Sequence, residues 1–306
     1  MNIKGVVVRV PAKVNLQLSV GPLGADGYHE VVSVFQAISI FDEVTIKYGA
    51  EGSGILLTVG GSITHGVPTD SSNLAYRAAQ IMIDRFHLSP DIEIDIKKDI
   101  PVAGGMAGGS ADAAAVLVGL DALCELSLLR DELEQIGSTL GADVPFSIAG
   151  GIAVGRGRGD ELTPALARGK YHWVVALAGS GLSTPAVYGE CDRLREGMDI
   201  ARPQVSESLM QALRAGESKA VGAAMINDLQ SAACSLRPAL RLVLDVGNDY
   251  GAQGGIVSGS GPTVVFLVED EERALDLTVA LSASGVVAGV LRATGPVHGA
   301  RVVETL

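Results

Sequence analysis

The sequence lacks the features typical of secreted, membrane-spanning or nucleic-acid-binding proteins. Its three cysteines form no CxxC pair, which favours free thiols in a reducing, cytoplasmic compartment. Charges at Arg9 and Lys13 follow the apolar start, and the apolar stretch 277–291 contains serines and a glycine, so we expect neither a signal peptide nor a spanning helix. The 23 basic residues form no cluster and are outnumbered by 35 acidic ones, so no nucleic-acid partner is expected.

Signatures of several enzyme classes are also missing. The five histidines lie far apart and no HExxH motif occurs, which disfavours zinc enzymes and hydrolases with a Ser-His-Asp set. The segment 104–110 has P-loop spacing, but Ser110 stands where a lysine is required. Counted from Gly104, Met106 stands where the second glycine of GxGxxG is required, which disfavours a dinucleotide-binding Rossmann site.

Glycine, in contrast, is abundant, at 39 of 306 residues. This length and a hydrophobic content of 47% are enough for two domains with separate cores. The composition changes across 151–159, where the segment 155–159 (Gly-Arg-Gly-Arg-Gly) is predicted to be flexible and exposed. We therefore expect an N-terminal domain at 1–158 and a C-terminal domain at 159–306.

The pattern of apolar residues predicts a mixed α and β fold. Apolar residues occupy the even positions from Val6 to Val20, which is typical of a strand with one polar face. Further strands are predicted at 31–40, 43–47, 92–97, 173–177, 255–258 and 264–268. Helices are predicted at 74–82 (capped by Ser71 or Ser72), 111–124, 131–140, 207–214, 219–226 and 238–246.

A glycine-rich segment joins a predicted strand to a predicted helix. It reads Pro101-Val102-Ala103-Gly104-Gly105-Met106-Ala107-Gly108-Gly109-Ser110. Glycines let the backbone approach a ligand closely, and the free N–H groups at a helix start favour phosphate. The segment is therefore predicted to bind phosphate, with tight-turn packing as the alternative.

Two charged residues have the chemistry that phosphoryl transfer requires, which is positive charge and a group that deprotonates the acceptor hydroxyl. Lys13 shares the polar face of the first strand with Asn15 and can project either into a cleft or into solvent. Asp143 follows Gly141, a predicted left-handed helix end, and precedes 144–146, which is predicted to be extended. Asp143 can be a general base or a simple turn residue.

Two other segments have a functional interpretation and an ordinary one. Tyr28 and His29 follow a predicted turn at 24–27 and can either grip a planar base or pack within a loop. A second glycine cluster, Ser258–Pro262, lies between apolar strands. It can approach the same ligand or be an ordinary connection.

Three of these segments together resemble motifs of the GHMP kinases, the family of galactokinase and of homoserine, mevalonate and phosphomevalonate kinases. Pro11–Leu16 resembles the first motif, Pro101–Ser110 the glycine-rich ATP loop, and Ser258–Thr263 the third motif. The resemblance implies an ATP-dependent kinase that uses Mg²⁺ carried with ATP. It also implies a two-domain α+β fold, with an N-terminal domain like the second domain of ribosomal protein S5 and ATP between the domains.

Two more segments, Ala25–His29 and Gly141–Phe146, are similar to family members that act in non-mevalonate isoprenoid biosynthesis. Those members phosphorylate the 2-hydroxyl of an alcohol that carries cytidine diphosphate. The resemblance implies that Asp143 is the base and that Lys13 orients both the base and the hydroxyl. The implied substrate contacts are Asn15, Tyr28, His29, Thr184 and Tyr188. The implied ATP contacts are Asn73 and Lys98 near the adenosine and the backbone of 101–110 around the phosphates.

Some positions depart from the family pattern or leave a role open. Gln230 stands where the family often has Glu, and Ala107 stands where it often has Gly, which is tolerable if the Ala107 φ is negative. Ser110 is either a Mg²⁺ ligand or a helix cap. The alternative functions are another small-molecule kinase, of the homoserine or mevalonate type, and a non-catalytic nucleotide-binding regulator. The composition sets no oligomeric state.

Overall fold

The computed structural model describes residues 3–62, 66–102 and 104–306, so the predicted ATP contact at Ala103 lies outside the described residues. The strands are β1 (Gly5–Leu23), β2 (His29–Tyr48), β3 (Ile55–Gly61), β4 (Ile92–Lys98), β5 (Ile152–Arg156), β6 (Glu161–Pro164), β7 (Tyr171–Leu177), β8 (Ile226–Asn227), β9 (Gly254–Val257), β10 (Val264–Val268), β11 (Gly289–Gly295) and β12 (Arg301–Thr305). The helices are α1 (Leu74–Phe86), α2 (Gly108–Leu123), α3 (Arg130–Ser138), α4 (Val144–Ala149), α5 (Thr184–Leu194), α6 (Glu207–Ala215), α7 (Ser218–Ala224), α8 (Gln230–Leu236), α9 (Ala239–Asp249) and α10 (Glu271–Ser284). The predicted mixture of helices and strands is confirmed.

The strands form two sheets. The larger has the order β12-β1-β2-β4-β3, with β5 beside β2, β6 beside β5, and β8 beside β1. The smaller has the order β11-β7-β10-β9. The C-terminal strand β12 runs antiparallel to β1, with Thr305 opposite Val6, so the chain end returns to the larger sheet. The domain boundary predicted after residue 158 stays a prediction, and it falls in the turn between the paired strands β5 and β6.

Helix α2 forms much of the core behind the larger sheet. Its small residues Ala111, Ala113, Ala114 and Ala115 are buried, which brings its backbone close to β1 and β2. At Gly119 a Cβ would press on the side chains of Val8 and Ile46, so a larger residue would require these side chains to shift. In the described part of the chain, no helix is long and apolar enough to cross a bilayer.

Strand β2 is continuous where two strands, 31–40 and 43–47, were predicted. The pairing register between β1 and β2 shifts at Pro11, which has no N–H group to donate to the ladder. On its other edge, β2 pairs with β5 over 33–36 and with β4 over 43–48. One continuous strand therefore pairs with two neighbouring strands, and the pattern of apolar residues indicates its two halves as separate strands.

The cap predicted for α1 and the end predicted for the helix at 219–226 are wrong. Helix α1 is capped by Asn73, whose Oδ1 accepts a hydrogen bond from Ala75 N–H at 2.8 Å, whereas Ser72 donates its hydroxyl to Asp70. The helix predicted at 219–226 ends at Ala224, and β8 follows in parallel pairing with Gln17 and Leu18. Pairing with β1 outweighs the helical periodicity at that end.

Candidate active site

A cleft of about 520 Å³ lies where β1, the glycine-rich segment and the second glycine cluster meet. The predicted site residues that line it are Lys13, Asn15, Pro101, Gly104, Gly105, Ala107, Gly108, Gly109, Ser110, Asp143, Thr184 and Tyr188. Met106 is buried beneath the loop. Asn73, Lys98 and Val102 line an adjacent cavity of about 200 Å³. Tyr28 and His29 line a neighbouring pocket that shares Thr184 and Tyr188 with the cleft.

Lys13 is only 5% exposed and projects into the cleft rather than into solvent. Its ammonium group donates to Asn15 Oδ1 at 2.8 Å and lies 3.7 Å from Asp143 Oδ1. Asn15 in turn donates to Ser33 Oγ at 2.7 Å, and the Ser33 hydroxyl donates to the carbonyl of Gln17. This chain of hydrogen bonds holds a buried cation opposite a carboxylate.

Asp143 immediately precedes helix α4. The prediction that 144–146 is extended is wrong, because α4 begins at Val144 and Pro145 fits its first turn, where no N–H group is required. Gly141 has no left-handed φ, and α3 already ends at Ser138. The Asp143 carboxylate faces Lys13. Because the Asp143 side chain is 34% exposed, the carboxylate also remains accessible from the cleft.

The two glycine-rich segments contact each other. Gly105 has a φ of +75°, and a Cβ there would lie 3.0 Å from the carbonyl carbon of Ser258 and overlap its oxygen. The Ser258 hydroxyl donates to the Gly105 carbonyl at 3.1 Å. Lys13 N–H donates to the Met106 carbonyl at 3.3 Å. The second cluster therefore lies at the same cleft as the first and fixes the loop beside β1.

Asn227 and Gln230 fix the backbone at the second glycine cluster through hydrogen bonds. Asn227 Nδ2 donates to the carbonyls of Val257 and Gly259 at 2.7 and 2.8 Å. Gln230 Oε1 accepts from Val257 N–H at 3.0 Å. The departure from Glu at position 230 thus affects a backbone contact at the end of β9.

The start of α2 differs from the expectation. Ala107 is the N-cap residue, with φ +60° and ψ +31°, so the condition of a negative φ is not met. A left-handed alanine costs about 1–2 kcal/mol relative to a relaxed one. Ser110 is not the cap, because it lies inside the first turn of α2, where it lines the cleft.

The pocket beside the cleft contains aromatic rings. Tyr28 is 54% exposed, and the His29 ring lies 5.3 Å from the Tyr188 ring, between centroids. The Gly21 carbonyl is 2.9 Å from His29 Nδ1, which therefore carries a proton, while Nε2 is 3.4 Å from Asp192 Oδ1. These rings line a space of about 690 Å³, which is large enough for a planar group.

Two further groups border this pocket. Burial, reinforced by the negative charge of Asp143, raises the pKa of Tyr188 to about 12, so its phenol is neutral. The hydroxyl of Thr184 lies 2.9 Å from that of Ser260. Thr184 thereby joins the aromatic pocket to the second glycine cluster.

Lys98 is 2% exposed and lies between two buried carboxylates that the sequence analysis missed. Its ammonium group donates to Asp42 Oδ2 at 2.5 Å, to Asp112 Oδ2 at 2.7 Å and to the Gly108 carbonyl at 2.9 Å. Burial raises the pKa of Asp112 well above its usual range, although the Lys98 charge opposes the shift. The sequence signal for this network was Asp112, a carboxylate among the alanines of the predicted helix 111–124.

Asp42 extends the same network to the backbone. Its Oδ1 accepts from the N–H groups of Asp99 and Ile100 at 2.6 and 2.8 Å. The network therefore connects the end of β4, which precedes the glycine-rich loop, to the first turn of α2, which follows it. Lys98 and Asn73 both have hydrogen-bond partners within the protein, and their contacts with adenosine stay predictions.

Arg158 was missed as a site residue because 155–159 was predicted to be flexible. Gly155 and Arg156 belong instead to β5, which pairs with β2, and Arg158 lies in the following turn. Its guanidinium carbon is 3.7 Å from the Tyr28 ring centroid. Arg158 lines both the cleft and the aromatic pocket.

Comparisons with known proteins identify the family. The family model described as GHMP kinases N terminal domain matches residues 73–151, and that described as GHMP kinases C terminal matches 209–287. The chain is 52% identical over 299 residues to the 4-diphosphocytidyl-2-C-methyl-D-erythritol kinase of Rhodococcus jostii, covering 98% of this chain and 95% of the relative. It is 49% identical to the protein of that name from Mycobacterium tuberculosis, covering 98% and 93%.

Solved structures agree with this assignment. A crystal structure of 4-(cytidine 5'-diphospho)-2C-methyl-D-erythritol kinase is 33% identical, with a TM-score of 0.76, and the match covers 94% of this chain and 98% of that one. Homoserine kinase from Cytophaga hutchinsonii, at 19% identity, a TM-score of 0.76 and coverage of 98% of both chains, shares the fold. These matches confirm the predicted two-domain α+β architecture, and the chain belongs to the GHMP kinase family.

Proposed function

We propose that this protein transfers the γ-phosphoryl group of ATP to the 2-hydroxyl of 4-diphosphocytidyl-2-C-methyl-D-erythritol, in the non-mevalonate route to isoprenoid precursors. The observation that carries the proposal is the Lys13–Asp143 pair, 3.7 Å apart in a cleft lined by the glycine-rich segment. The adjoining pocket of His29 and Tyr188 supports a substrate with a nucleobase. Relatives named as kinases of this compound, at about 50% sequence identity over nearly the full chain, support the same substrate.

In this reaction Asp143 acts as the general base. As the substrate oxygen attacks the γ-phosphorus, its proton passes to the Asp143 carboxylate, and the bond to the β-phosphate oxygen breaks to release ADP. Lys13 holds Asp143 in place and stabilises the negative charge that develops on the attacking oxygen. Asn15 keeps the Lys13 ammonium oriented through the 2.8 Å hydrogen bond.

The glycine-rich segment binds the ATP phosphates. Gly108, Gly109 and Ser110 form the first turn of α2, a 16-residue helix, and line the cleft. Their N–H groups have no carbonyl partner within the helix, and the positive end of the helix dipole favours phosphate oxygens. Gly104 and Gly105 let the loop backbone follow the phosphate chain closely.

The residues present suit a Mg²⁺ ion that is held mainly by ATP. Among the described residues, no three His, Cys, Asp or Glu side chains are grouped so that they could hold a metal ion. Mg²⁺ in phosphate-transferring enzymes keeps several waters and typically takes one or two protein ligands besides the phosphates. The Ser110 hydroxyl, which lines the cleft with Asp143, is the group that would contact it. When bound, Mg²⁺ neutralises charge on the phosphate oxygens.

The cytosine is held by Tyr28, His29 and Tyr188. Stacking on aromatic faces and hydrogen bonding to the histidine ring suit a planar base. Thr184 lines both the pocket and the cleft and would contact the substrate between them.

The three free cysteine thiols support the cytoplasmic location expected from the sequence.

The proposal is tested by measuring ADP release from Mg-ATP with three acceptors in parallel: 4-diphosphocytidyl-2-C-methyl-D-erythritol, homoserine and mevalonate. We expect turnover with the cytidine compound alone. Turnover with homoserine or mevalonate instead would keep the kinase chemistry and reject the substrate. Folded protein that binds ATP but phosphorylates none of the three would favour the non-catalytic nucleotide-binding regulator.

The role of Asp143 is tested with Asp143→Asn, which removes the proton acceptor and keeps the shape of the side chain. We expect kcat to fall by about 10²-fold or more, while ATP binding measured by calorimetry stays within about threefold. Asp245→Asn, at an exposed position on α9 outside the cleft and the aromatic pocket, is the control and should retain kcat. An unchanged kcat in Asp143→Asn would remove this residue from the mechanism.

A further inference from the structure

Arg158 lies where the two cavities of the site meet. It lines the cleft that contains Lys13 and Asp143, and it also lines the pocket of Tyr28 and His29. Among the described residues that line these two cavities, the lysine and arginine side chains are Lys13 and Arg158. Lys13 already faces Asp143. Arg158 is therefore the cation available between the nucleobase pocket and the reacting hydroxyl.

The turn that presents Arg158 is fixed to the larger sheet. Gly157 and Gly159 have φ values of +68° and +100°, a region that favours glycine, so the two glycines shape the turn on either side of the arginine. Val31 N–H in β2 donates to the Gly157 carbonyl at 2.9 Å, and Gly159 N–H donates to the Arg156 carbonyl at 2.8 Å. The backbone thus places Arg158 at a defined position beside β2.

The Arg158 guanidinium is positioned to bind an anion. One face of its guanidinium lies over the Tyr28 ring, at 3.7 Å from the centroid, so the N–H groups lie at the edge that the ring does not cover. Its present partner is Asp26 Oδ2 at 3.5 Å, and the Arg158 and Asp26 side chains are 55% and 62% exposed. Such an exposed ion pair contributes little free energy, so a phosphate can replace Asp26.

We infer that Arg158 binds the diphosphate of the substrate and thereby sets the preference for a nucleoside diphosphate derivative over an uncharged nucleoside. This inference rests on the proposed function, because that substrate carries its diphosphate between the cytidine and the reacting alcohol. Arginine binds phosphate oxygens with paired N–H groups, and its stacking on Tyr28 fixes the direction of those groups. On a chain with a net charge of −12, a local cation offsets repulsion of the diphosphate.

The test is calorimetric titration of the full-length protein with CDP and with cytidine, comparing wild type, Arg158→Gln and Arg158→Lys. Wild type should bind CDP more tightly than cytidine. Arg158→Gln should weaken CDP binding by about 10- to 100-fold, the usual loss for a hydrogen bond to a charged group, and change cytidine binding by less than about threefold. Arg158→Lys should lie between them, because it keeps the charge and loses the paired N–H groups.

Arg156→Gln is the matched control, because Arg156 lies in the same hairpin but outside the cleft, and its CDP affinity should match wild type. In turnover, Arg158→Gln should raise KM for the cytidine substrate and leave KM for ATP unchanged. Equal losses for CDP and cytidine would mean that Arg158 only supports Tyr28, which overturns the inference. Wild-type binding of cytidine as tightly as CDP also overturns it and leaves the proposed function intact. Wild-type protein that binds neither compound overturns the proposed substrate together with the inference.

Discussion

Replacing Gly105 with alanine tests whether close contact between the two glycine-rich segments shapes the ATP site. The new methyl group would meet the Ser258 carbonyl with its carbon at 3.0 Å and the Gly261 nitrogen at 3.1 Å, and it would overlap the Ser258 oxygen. These neighbours are backbone atoms, so they can yield only if the two segments separate. The substitution therefore combines backbone strain at φ +75° with a steric clash.

Gly251→Ala separates these two effects, because Gly251 also has a φ of +75° and a Cβ there would meet nothing within 4 Å. The left-handed alanine alone should cost about 1 kcal/mol in the free energy of unfolding. Overpacking in a close-packed region costs about a further 1–3 kcal/mol, so Gly105→Ala should lose about 2–4 kcal/mol in total. Urea titration of both variants measures the difference.

Gly105→Ala should also weaken ATP binding, because separating the segments moves the N–H groups that face the phosphates. A loss of one charge-assisted hydrogen bond corresponds to about tenfold or more in the ATP dissociation constant. Gly251→Ala should bind ATP as wild type does. Equal destabilisation of the two variants, with ATP affinity unchanged in both, would refute the reasoning that the segments are in tight contact.

Two further outcomes follow from buried groups. Lys98→Met should lower the free energy of unfolding by about 3–5 kcal/mol in urea titration, because it leaves Asp42 and Asp112 buried without their cation. Lys97→Met, at an exposed position, should cost under about 1 kcal/mol, and similar values for both would contradict the network. The pKa of Tyr188 is about 12 in the folded protein, above its ordinary value of about 10. Between these two pH values the folded state keeps a proton that the unfolded state loses. The free energy of unfolding should therefore fall as pH rises from about 10 to 12. In urea titrations across this window Tyr188→Phe should show a shallower fall than wild type, and parallel curves would argue against the raised pKa.

Local sequence patterns predicted many of the elements that carry the site. Alternation from Val6 to Val20 identified β1, and the run of small and apolar residues after Ser110 identified α2. Residue type and position made Lys13, Asp143 and the glycine-rich loop candidates, and the family resemblance added the roles that stay predictions. These signals succeed because strand alternation and helix periodicity depend on residues that are near one another in the chain.

Other features depend on contacts between distant parts of the chain. The left-handed conformation of Ala107 and the helical conformation at 144–146 contradict the local expectations. Arg158 becomes a site residue only because β5 pairs with β2, and β12 joins the larger sheet from the far end of the chain. No pattern within a short segment specifies which distant strand it will pair with.

The sequence by itself determined the main chemistry of this protein: a glycine-rich strand-to-helix connection suited to phosphate, a lysine and an aspartate suited to phosphoryl transfer, and motifs of one kinase family. The tertiary structure decided that Lys13 and Asp143 face each other at 3.7 Å, and that Lys98 is locked between two buried carboxylates. The physical reason is that residue type fixes what a side chain can do, whereas its pKa, its partners and its access to ligand are set by the groups that folding brings around it.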